Sequence, residues 1–145
     1  MKISIKKLNE KAVVPSYGSE FAAGADLYAC TGGEVEVPPH GTALIPTGIA
    51  VELPAGYAGF IYARSGLATK KGLAPANKVG VVDCDYRGEV KVALHNHSEC
   101  VQTVADGERV AQFVIAPYIK AEFSVENELS QTVRGEGGFG STGTR

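Results

Sequence analysis

The fold is decided by the pattern in residues 49–72, which read IAVELPAGYAGFIYARSGLATKKG. Two short apolar runs, Ile49 to Leu53 and Gly59 to Ala63, flank the turn formers Pro54-Ala55-Gly56, and this punctuation is typical of neighbouring β-strands. Ser65 to Gly72 then combines an N-cap serine, lysines in a last turn and a closing glycine, which predicts a short helix. It is the one helix that we expect.

Runs of the same kind recur along the whole chain, rich in Val, Ile and Tyr and separated by Gly or Pro. The further runs are Ile3 to Lys6, Glu34 to Val37, Ala43 to Ile45, Val79 to Asp83, Val90 to Leu94, Val110 to Ala116 and Glu122 to Val125. Pro46-Thr47-Gly48 reads as a turn after the third of these runs. So many short strands predict an all-β domain built as a sandwich, jelly roll or barrel.

Composition restricts the class of partner. The 145 residues suffice for one domain, and their formal net charge of −2 comes without a run of like charge longer than Lys6-Lys7 or Lys70-Lys71. A nucleic-acid partner is therefore not expected. No apolar stretch approaches the roughly 20 residues that a membrane span needs, so we expect a soluble protein that acts on a small molecule.

Three cysteines, Cys30, Cys84 and Cys100, cannot all pair with one another, and none forms a C-x-x-C motif. No basic and then apolar leader opens the sequence. We expect reduced thiols, buried as small hydrophobic groups, in a cytoplasmic protein.

The strongest local signal is the run VVDCDYRGEVKV at residues 81–92, which predicts a hairpin with its turn at Asp85 to Gly88. Asp85 is explained as a turn residue. Asp83 interrupts an apolar strand, where a buried carboxylate is costly unless it is paired, hydrogen-bonded or used in chemistry. The pattern alone leaves a structural and a functional role for Asp83 equally open.

Two other segments offer anion-binding chemistry. Arg64-Ser65-Gly66 stands where a strand leads into the helix, so free N–H groups and a guanidinium meet there and could bind phosphate. From these three residues alone, a capped helix with a surface arginine is the simpler interpretation. Residues 134–145 form a glycine-rich tail with an arginine, one aromatic ring and hydroxyls, which predicts either an arm that closes over a ligand or a disordered terminus.

The histidines do not suggest a metal site. His40, His95 and His97 lack the spacing and the acidic neighbours of a zinc site, and His95 to Ser98 reads as a polar turn.

Five segments together resemble the trimeric dUTP diphosphatase (dUTPase) family, and they occur in that family's order over nearly the whole chain. They are Ala23 to Leu27 (AGADL), Ala63 to Ala68 (ARSGLA), Gly80 to Gly88 (GVVDCDYRG), Gly107 to Gln112 (GERVAQ) and Arg134 to Gly143 (RGEGGFGSTG). Ala63 departs from the proline of many members, and Cys84 departs from a frequent serine.

The resemblance implies a distorted jelly-roll or β-barrel subunit, residues 1–133, in a homotrimer whose active sites lie at subunit interfaces and are closed by the arm, residues 134–145. It implies hydrolysis of dUTP to dUMP and pyrophosphate by in-line attack of water on the α-phosphorus, with Mg²⁺ held by phosphate oxygens and waters. Such an enzyme keeps uracil out of DNA and supplies dUMP for dTMP synthesis.

The resemblance also assigns site residues. Asp83 would be the general base, and Asp26 would lie near the water shell of the metal. The phosphates would be held by Arg64, Ser65, Gly66 and Gln112 from the body and by Arg134, Ser141 and Thr142 from the arm. The nucleoside would contact Asn77, the backbone of Gly80, Val81, Val82 and Lys91, the ring of Tyr86, and Phe139 with Gly140.

Two alternatives remain. The related dCTP deaminases carry a glutamate three residues before the asparagine of the return strand, and Ala93 stands at that position before Asn96. A binding or regulatory protein on the same scaffold would lack catalysis, and the presence of Asp83, Arg64 and Gln112 argues against it.

Overall fold

The computed structural model describes residues 1–138. Within that range the chain forms short strands and one short helix, which confirms the predicted all-β class. The elements are β1 Ser4–Lys7, β2 Ser16–Tyr17, β3 Ala25–Tyr28, β4 Val35–Val37, β5 Thr42–Glu52, β6 Tyr57–Tyr62, α1 Ser65–Lys71, β7 Leu73–Pro75, β8 Gly80–Val82, β9 Glu89–Asn96, β10 Gln102–Val104 and β11 Arg109–Pro117.

The strands form two main sheets, and all of the strand pairs in them are antiparallel. One has the order β1-β5-β9-β7 and the other the order β2-β3-β11-β6-β8, while β10 and β4 form a small ribbon. A single buried cluster takes side chains from both sheets, among them Ile45 and Leu94 from the first and Leu27 and Val110 from the second. This is the layered arrangement expected of a jelly roll.

Strand β9 shows why these residues form a sheet. Val90, Val92 and Leu94 are 0 to 1 % exposed, whereas the alternate residues Glu89 and Lys91 are half-buried and exposed, respectively. Successive side chains of a strand point to opposite faces, so this alternation places one face of β9 in the core and the other at the surface.

The turn predicted at Pro46-Thr47-Gly48 is wrong, because residues 42–52 form one strand. The pairing of β5 with β9 shifts register between Pro46 and Ala50, as a β-bulge does. Gly48 has φ +68°, and a Cβ there would lie 2.8 Å from the Cβ of Ala12, so glycine is required. The buried Thr47 hydroxyl donates to the carbonyl of Val90 on β9 and so ties the irregular part of β5 to its neighbouring strand.

The helix is confirmed with a shifted start. Arg64, in an extended conformation, is the N-cap and makes no side-chain capping bond, so the predicted Ser65 cap is wrong. Gly72 ends the helix at φ +66°, with its N–H directed at the carbonyls of Ala68 and Leu67, as predicted for a left-handed C-cap.

Some predictions about strands differ from the structure. The short strands β2, β3, β7 and β10 lacked a sequence signal that we recognised, since two to four residues show little periodicity. Glu122 to Val125 forms no strand, and Phe123 and Val125 are 93 % and 100 % exposed. A strand needs a hydrogen-bonding partner, and this chain supplies none to that segment within residues 1–138.

The cysteines and the histidine segment also differ in part. Cys30 and Cys84 are half-buried against the core, but Cys100 is exposed, so the expectation of three buried thiols is wrong for Cys100. The polar turn predicted at His95 to Ser98 is wrong for its first half, because His95 and Asn96 end strand β9 and pair with β5 and β7. The chain bends only after them, where the N–H of Ser98 donates to Oδ1 of the buried Asn96 at 2.9 Å. In the part of the chain described, no helix has the length and apolar character to cross a membrane.

Candidate active site

A cavity of about 330 Å³ opens between β8 and β9. Its lining consists of Leu44, Ile61, Asn77, Gly80, Val81, Val82, Asp83, Tyr86, Glu89, Val90 and Lys91. The two strands follow each other in sequence but belong to different sheets, since β8 pairs with β6 and β9 pairs with β5 and β7. The predicted hairpin is therefore wrong, and the gap between its two arms is the cavity.

The loop from Asp83 to Gly88 connects the sheets. The N–H of Tyr86 donates to the carbonyl of Asp83 at 3.1 Å, so the tight turn begins at Asp83 and not at Asp85. A Cβ on Gly88 would collide with the ring and hydroxyl of Tyr86. Glycine at position 88 therefore allows the Tyr86 ring to lie against the loop.

Asp83 is exposed at the wall of the cavity, one residue beyond the end of β8. The sequence argument that treated it as a buried carboxylate inside a strand is wrong, because the strand stops at Val82. An exposed carboxylate at a cavity wall can reach water, which is one requirement for a base that activates a water molecule.

Tyr86 is 45 % exposed, but a hydrogen bond orients its ring. Its hydroxyl donates to the carbonyl of Glu89 at 3.0 Å. The Glu89 carboxylate in turn accepts from the N–H of Gly48 at 2.9 Å and lies 3.4 Å from the Lys91 ammonium. The bulge in β5, the start of β9 and the tyrosine are thus linked at one side of the cavity.

The opposite wall is formed by Asn77 and the edge strand β8. A Cβ on Gly80 would lie 3.2 Å from Nδ2 of Asn77 and 3.1 Å from Cβ of Ile61, so the glycine leaves space for the amide. Strand β8 is the last in its sheet, and alternate residues of an edge strand direct N–H and C=O groups away from the sheet. A flat ligand with donors and acceptors on its edge can pair with such groups.

A second group of polar residues surrounds Asp26 on β3, which is 5 % exposed. Its Oδ1 accepts from Nε of Arg64 at 2.8 Å, and its Oδ2 accepts from Nη1 of Arg109 at 3.2 Å. Gln112 on β11 lies opposite Asp26 in the sheet register. Three of the sequence segments quoted above therefore meet at this carboxylate.

Arg109 is a residue that the sequence argument did not assign. It lies in the GERVAQ segment, at the start of β11. Strand β11 pairs with β3, and Nη1 of Arg109 lies 3.2 Å from Oδ2 of Asp26 on that strand. A charged residue at the start of a mainly apolar strand, three positions before Gln112, is the signal that could have indicated it.

The structure does not bring the two groups into one cavity of a single chain. Arg64 is 24 % exposed at its side chain, and Ser65 and Gly66 are exposed at the start of α1. None of these residues, nor Asp26 or Gln112, is among the lining residues of the 330 Å³ cavity. One chain thus presents a cavity of about 330 Å³ and a separate cationic group.

The tail contributes little that the structure describes. Arg134 is exposed, and its Nε donates to the carbonyl of Gly137 at 2.7 Å; it is not among the cavity residues. Phe139, Gly140, Ser141 and Thr142 lie outside the described residues.

A metal ion would find few protein ligands here. Within residues 1–138 there is no group of three or more His, Cys, Asp or Glu side chains that could hold one. Each oxygen of Asp26 already accepts from a guanidinium. The residues fit a metal that takes its ligands from the substrate and from water, with no more than a water-mediated contact to Asp26.

Tyr118, the first residue after β11, lies beside the Asp83 loop. Its hydroxyl is 3.7 Å from Sγ of Cys84. This hydrogen bond raises the pKa of Tyr118, and smaller contributions come from the negative charge of the Cys84 thiolate, from burial and from the charges of Asp83 and Asp85.

Comparison with known proteins gives consistent results. A sequence model of the dUTPase family matches residues 10–143. The deoxyuridine 5'-triphosphate nucleotidohydrolase of Syntrophotalea carbinolica is 48% identical over 97% of this chain and 96% of its own length. That of a Hydrogenobaculum species is 48% identical over 100% of both chains.

Solved structures agree. A mutant dUTPase of Staphylococcus bacteriophage 80alpha with dUpNHpp superposes with a TM-score of 0.89 at 28% identity and covers 98% of each chain. A phage phi11 dUTPase mutant, described for its coordination of a structural Mg(II) ion, has a TM-score of 0.77 at 24% identity over 88% of this chain and 98% of its own, which shows the shared fold alone.

Proposed function

The chain belongs to the dUTPase family of dUTP-hydrolysing enzymes, and we propose that it converts dUTP to dUMP and pyrophosphate by in-line attack of water on the α-phosphorus. The observation that carries this proposal is the cavity between β8 and β9, whose walls combine Asp83, Tyr86 and Asn77. The ligand dUpNHpp in the phage 80alpha structure supports a deoxyuridine nucleotide as its occupant.

Asp83 is the proposed general base. Its exposure and its place at the end of β8 support a role in taking a proton from the attacking water. A positioned base of this kind contributes about 10²–10⁴ to the rate. The pyrophosphate leaves on the side opposite the attack.

The uracil is proposed to pair with Asn77 and with the backbone of Gly80, Val81 and Val82, with the Lys91 backbone opposite. Cytosine exchanges a donor and an acceptor at one edge and would leave polar groups unpaired, while thymine adds a methyl group to a narrow slot. The Tyr86 ring, held by the carbonyl of Glu89, would fill the space that a ribose 2′-hydroxyl needs. Phe139 of the arm would stack on the base, with Gly140 beside it.

Arg64, Ser65, Gly66 and Gln112 are the proposed phosphate ligands from the body of a subunit, and Arg134, Ser141 and Thr142 those from the arm. The guanidinium of Arg64 uses Nε to bind Asp26 and Nη1 to contact the backbone carbonyl of Arg109 at 3.3 Å. The N–H groups of Nη2 are the donors proposed for phosphate. Fixed cations at the phosphates stabilise charge that develops in the transition state.

Mg²⁺ is the proposed cofactor, and when bound to phosphate oxygens it neutralises charge on the leaving pyrophosphate. The absence of a ligand cluster within residues 1–138 fits an ion that arrives with the nucleotide. Asp26 remains the proposed contact to its water shell, and its first partners are the two arginines.

We propose a homotrimer in which the cavity of one subunit works with the cationic group of a neighbour. The separation of the two groups in one chain supports this. So does the segment after β11, where Ile119, Phe123 and Val125 are at least 93 % exposed at odd-numbered positions, the spacing of a strand face that needs a partner. Residues 1–133 form the domain in this proposal, and residues 134–145 form the arm that closes over the site.

The cellular role proposed is to keep uracil out of DNA and to supply dUMP for dTMP synthesis. Free Cys30, Cys84 and Cys100 support the cytoplasm as the compartment, because thiols persist there in the reduced state.

The test is a panel of dUTP, dTTP, dCTP and UTP, each with Mg²⁺ and pyrophosphate detection. We expect turnover of dUTP, and rates lower by a factor of about 10² or more for the other three. Hydrolysis in ¹⁸O-labelled water should place the label in dUMP. Comparable rates for all four nucleotides, or label in pyrophosphate, would contradict the proposal.

A further inference from the structure

The loop that carries Asp83 and Tyr86 is held from its outer side by one arginine. Nη1 of Arg87 donates to the carbonyl of Cys84 at 2.7 Å and to the carbonyl of Tyr86 at 3.0 Å. Nη2 of the same guanidinium lies 3.3 Å from Oε1 of Glu52 at the end of β5. A single side chain thus joins two carbonyls of the turn to the neighbouring sheet.

Arg87 acts from outside the cavity. It does not line the 330 Å³ cavity, and it lies instead in two grooves on the other side of the loop, together with Glu52. Asp83 and Tyr86 face the cavity, so the arginine is behind them and is not in position to touch a ligand there.

We propose that Arg87 is a positioning residue, whose guanidinium fixes the loop conformation that directs Asp83 and Tyr86 into the cavity. The inference rests on the proposed function, since it concerns the geometry of the proposed base and of the ring that excludes ribose. It adds to that function a residue that touches neither substrate nor metal.

The chemistry of the side chain suits this role. Charge-assisted hydrogen bonds from a guanidinium are short and directional. Its planar fork directs Nη1 at the two carbonyls of the turn and Nη2 at the carboxylate of Glu52. Lysine offers a point charge without that fork. The ion pair with Glu52 is largely exposed, at 53 % and 62 % of the two side chains, so water screens it and its contribution is mainly to orient the guanidinium.

Loss of positioning has a signature that differs from loss of folding. Asp83 governs turnover, whereas Tyr86 governs the choice of dUTP over UTP. A loop released from Arg87 changes both at once, while a variant that is merely less stable lowers the amount of active enzyme and leaves the ratio of the two substrates unchanged.

The experiment compares Arg87→Met, Arg87→Lys and Glu52→Gln in the full chain. Lys6→Met is the matched control, because Lys6 lines one of the same grooves and its loss removes the same charge. The measurements are kcat and KM with dUTP and with UTP, the Tm, and hydrogen–deuterium exchange of the peptide covering residues 83–90.

For Arg87→Met we expect kcat with dUTP to fall about tenfold or more, because small displacements of a catalytic group have large effects on rate. The kcat/KM ratio of dUTP to UTP should fall about threefold or more, and exchange in residues 83–90 should accelerate. Arg87→Lys should lie between Met and wild type, Glu52→Gln should show a smaller effect, and Lys6→Met should match wild type. Should the Met variant not fold, the Lys variant provides the same comparison.

Suppose that the wild-type enzyme is selective for dUTP and that Arg87→Met keeps the same kcat and the same ratio of dUTP to UTP. That result would overturn this inference and leave the proposed function intact. A fall in kcat with an unchanged ratio and a lower Tm would also overturn it, since that is a structural role alone. A wild-type protein that does not distinguish dUTP from UTP would overturn the proposed function, and this inference with it.

Discussion

At the scale of single residues, Asp83 shows how the structure changes the reason for an assignment without changing the residue. Its sequence neighbours suggested a carboxylate buried within a strand, whereas the structure exposes it at a cavity wall after β8 has ended. Solvent access suits a base that deprotonates water better than burial does. The cost of burial therefore no longer argues for a role of Asp83, and the proposal that it is the base rests on its place at the cavity wall.

Replacing Asp83 by Asn should lower kcat for dUTP by a factor of about 10²–10⁴, because the change removes the proton acceptor and keeps the shape. The Kd for dUTP, measured by calorimetry with the slowly turning-over variant, should stay within about threefold of the wild-type KM. Asp85→Asn is the matched control, since it removes the same charge two positions away in the same loop. Turnover of Asp83→Asn within tenfold of the control would show that another group is the base.

The residues of the second polar group could be predicted in part. Arg64 and Gln112 were assigned from their sequence segments, and the structure brings both to Asp26. Arg109 was not assigned. Asp26 lies 83 positions earlier in the chain, and a sequence segment does not reveal which of its side chains will point towards so distant a residue. That information comes from the pairing of β3 with β11.

At the scale of elements, hydrophobic alternation and turn residues predicted most of the longer strands and the helix, but they did not predict partners. The run at residues 81–92 has the composition of a hairpin, yet β8 and β9 join different sheets. Composition describes how well a residue fits a strand. It carries no information about which other strand will be the hydrogen-bonding partner. The cavity exists because these two strands separate, so its location could not be deduced from the hairpin.

The turn between β10 and β11 gives a pH-dependent prediction. Oδ1 of Asp106 accepts from the N–H groups of Thr31 at 2.8 Å and Gly32 at 3.1 Å. The bonds from Gly32 and Thr31 lower the pKa of Asp106 below its ordinary value of 3.8. A lowered folded-state pKa stabilises the protein above the unfolded-state value, and this stabilisation is lost as the pH falls through the folded-state value.

Asp106→Ala should therefore have a lower free energy of unfolding than wild type near neutral pH, and the difference should shrink below about pH 4. Urea unfolding between about pH 7 and about pH 3 measures it. Asp106→Asn keeps an acceptor without the charge, so its difference from wild type should be smaller at neutral pH. A constant difference for Asp106→Ala over the whole range would contradict the account.

At the scale of the whole molecule, one chain leaves two features incomplete. The cavity contains the proposed base and the nucleoside contacts but not Arg64, and the segment after β11 exposes apolar side chains at the spacing of a strand. Both are explained if neighbouring subunits supply the missing partners. Composition gives no indication of a trimer, because it does not show which apolar side chains stay at the surface of a single folded chain.

The most direct test of the central claim, a dUTP-hydrolysing site shared between subunits, is a subunit-mixing assay. Asp83→Asn and Arg64→Ala are each prepared alone, then dissociated and reassembled together in equal amounts. We expect each variant alone to be nearly inactive. In the mixture, a chain with an intact Asp83 meets a neighbour with an intact Arg64 at about one site in four, so turnover of dUTP should recover to about a quarter of the wild-type value. Reassembled mixtures that stay as inactive as the separate variants would show that both residues act within one chain.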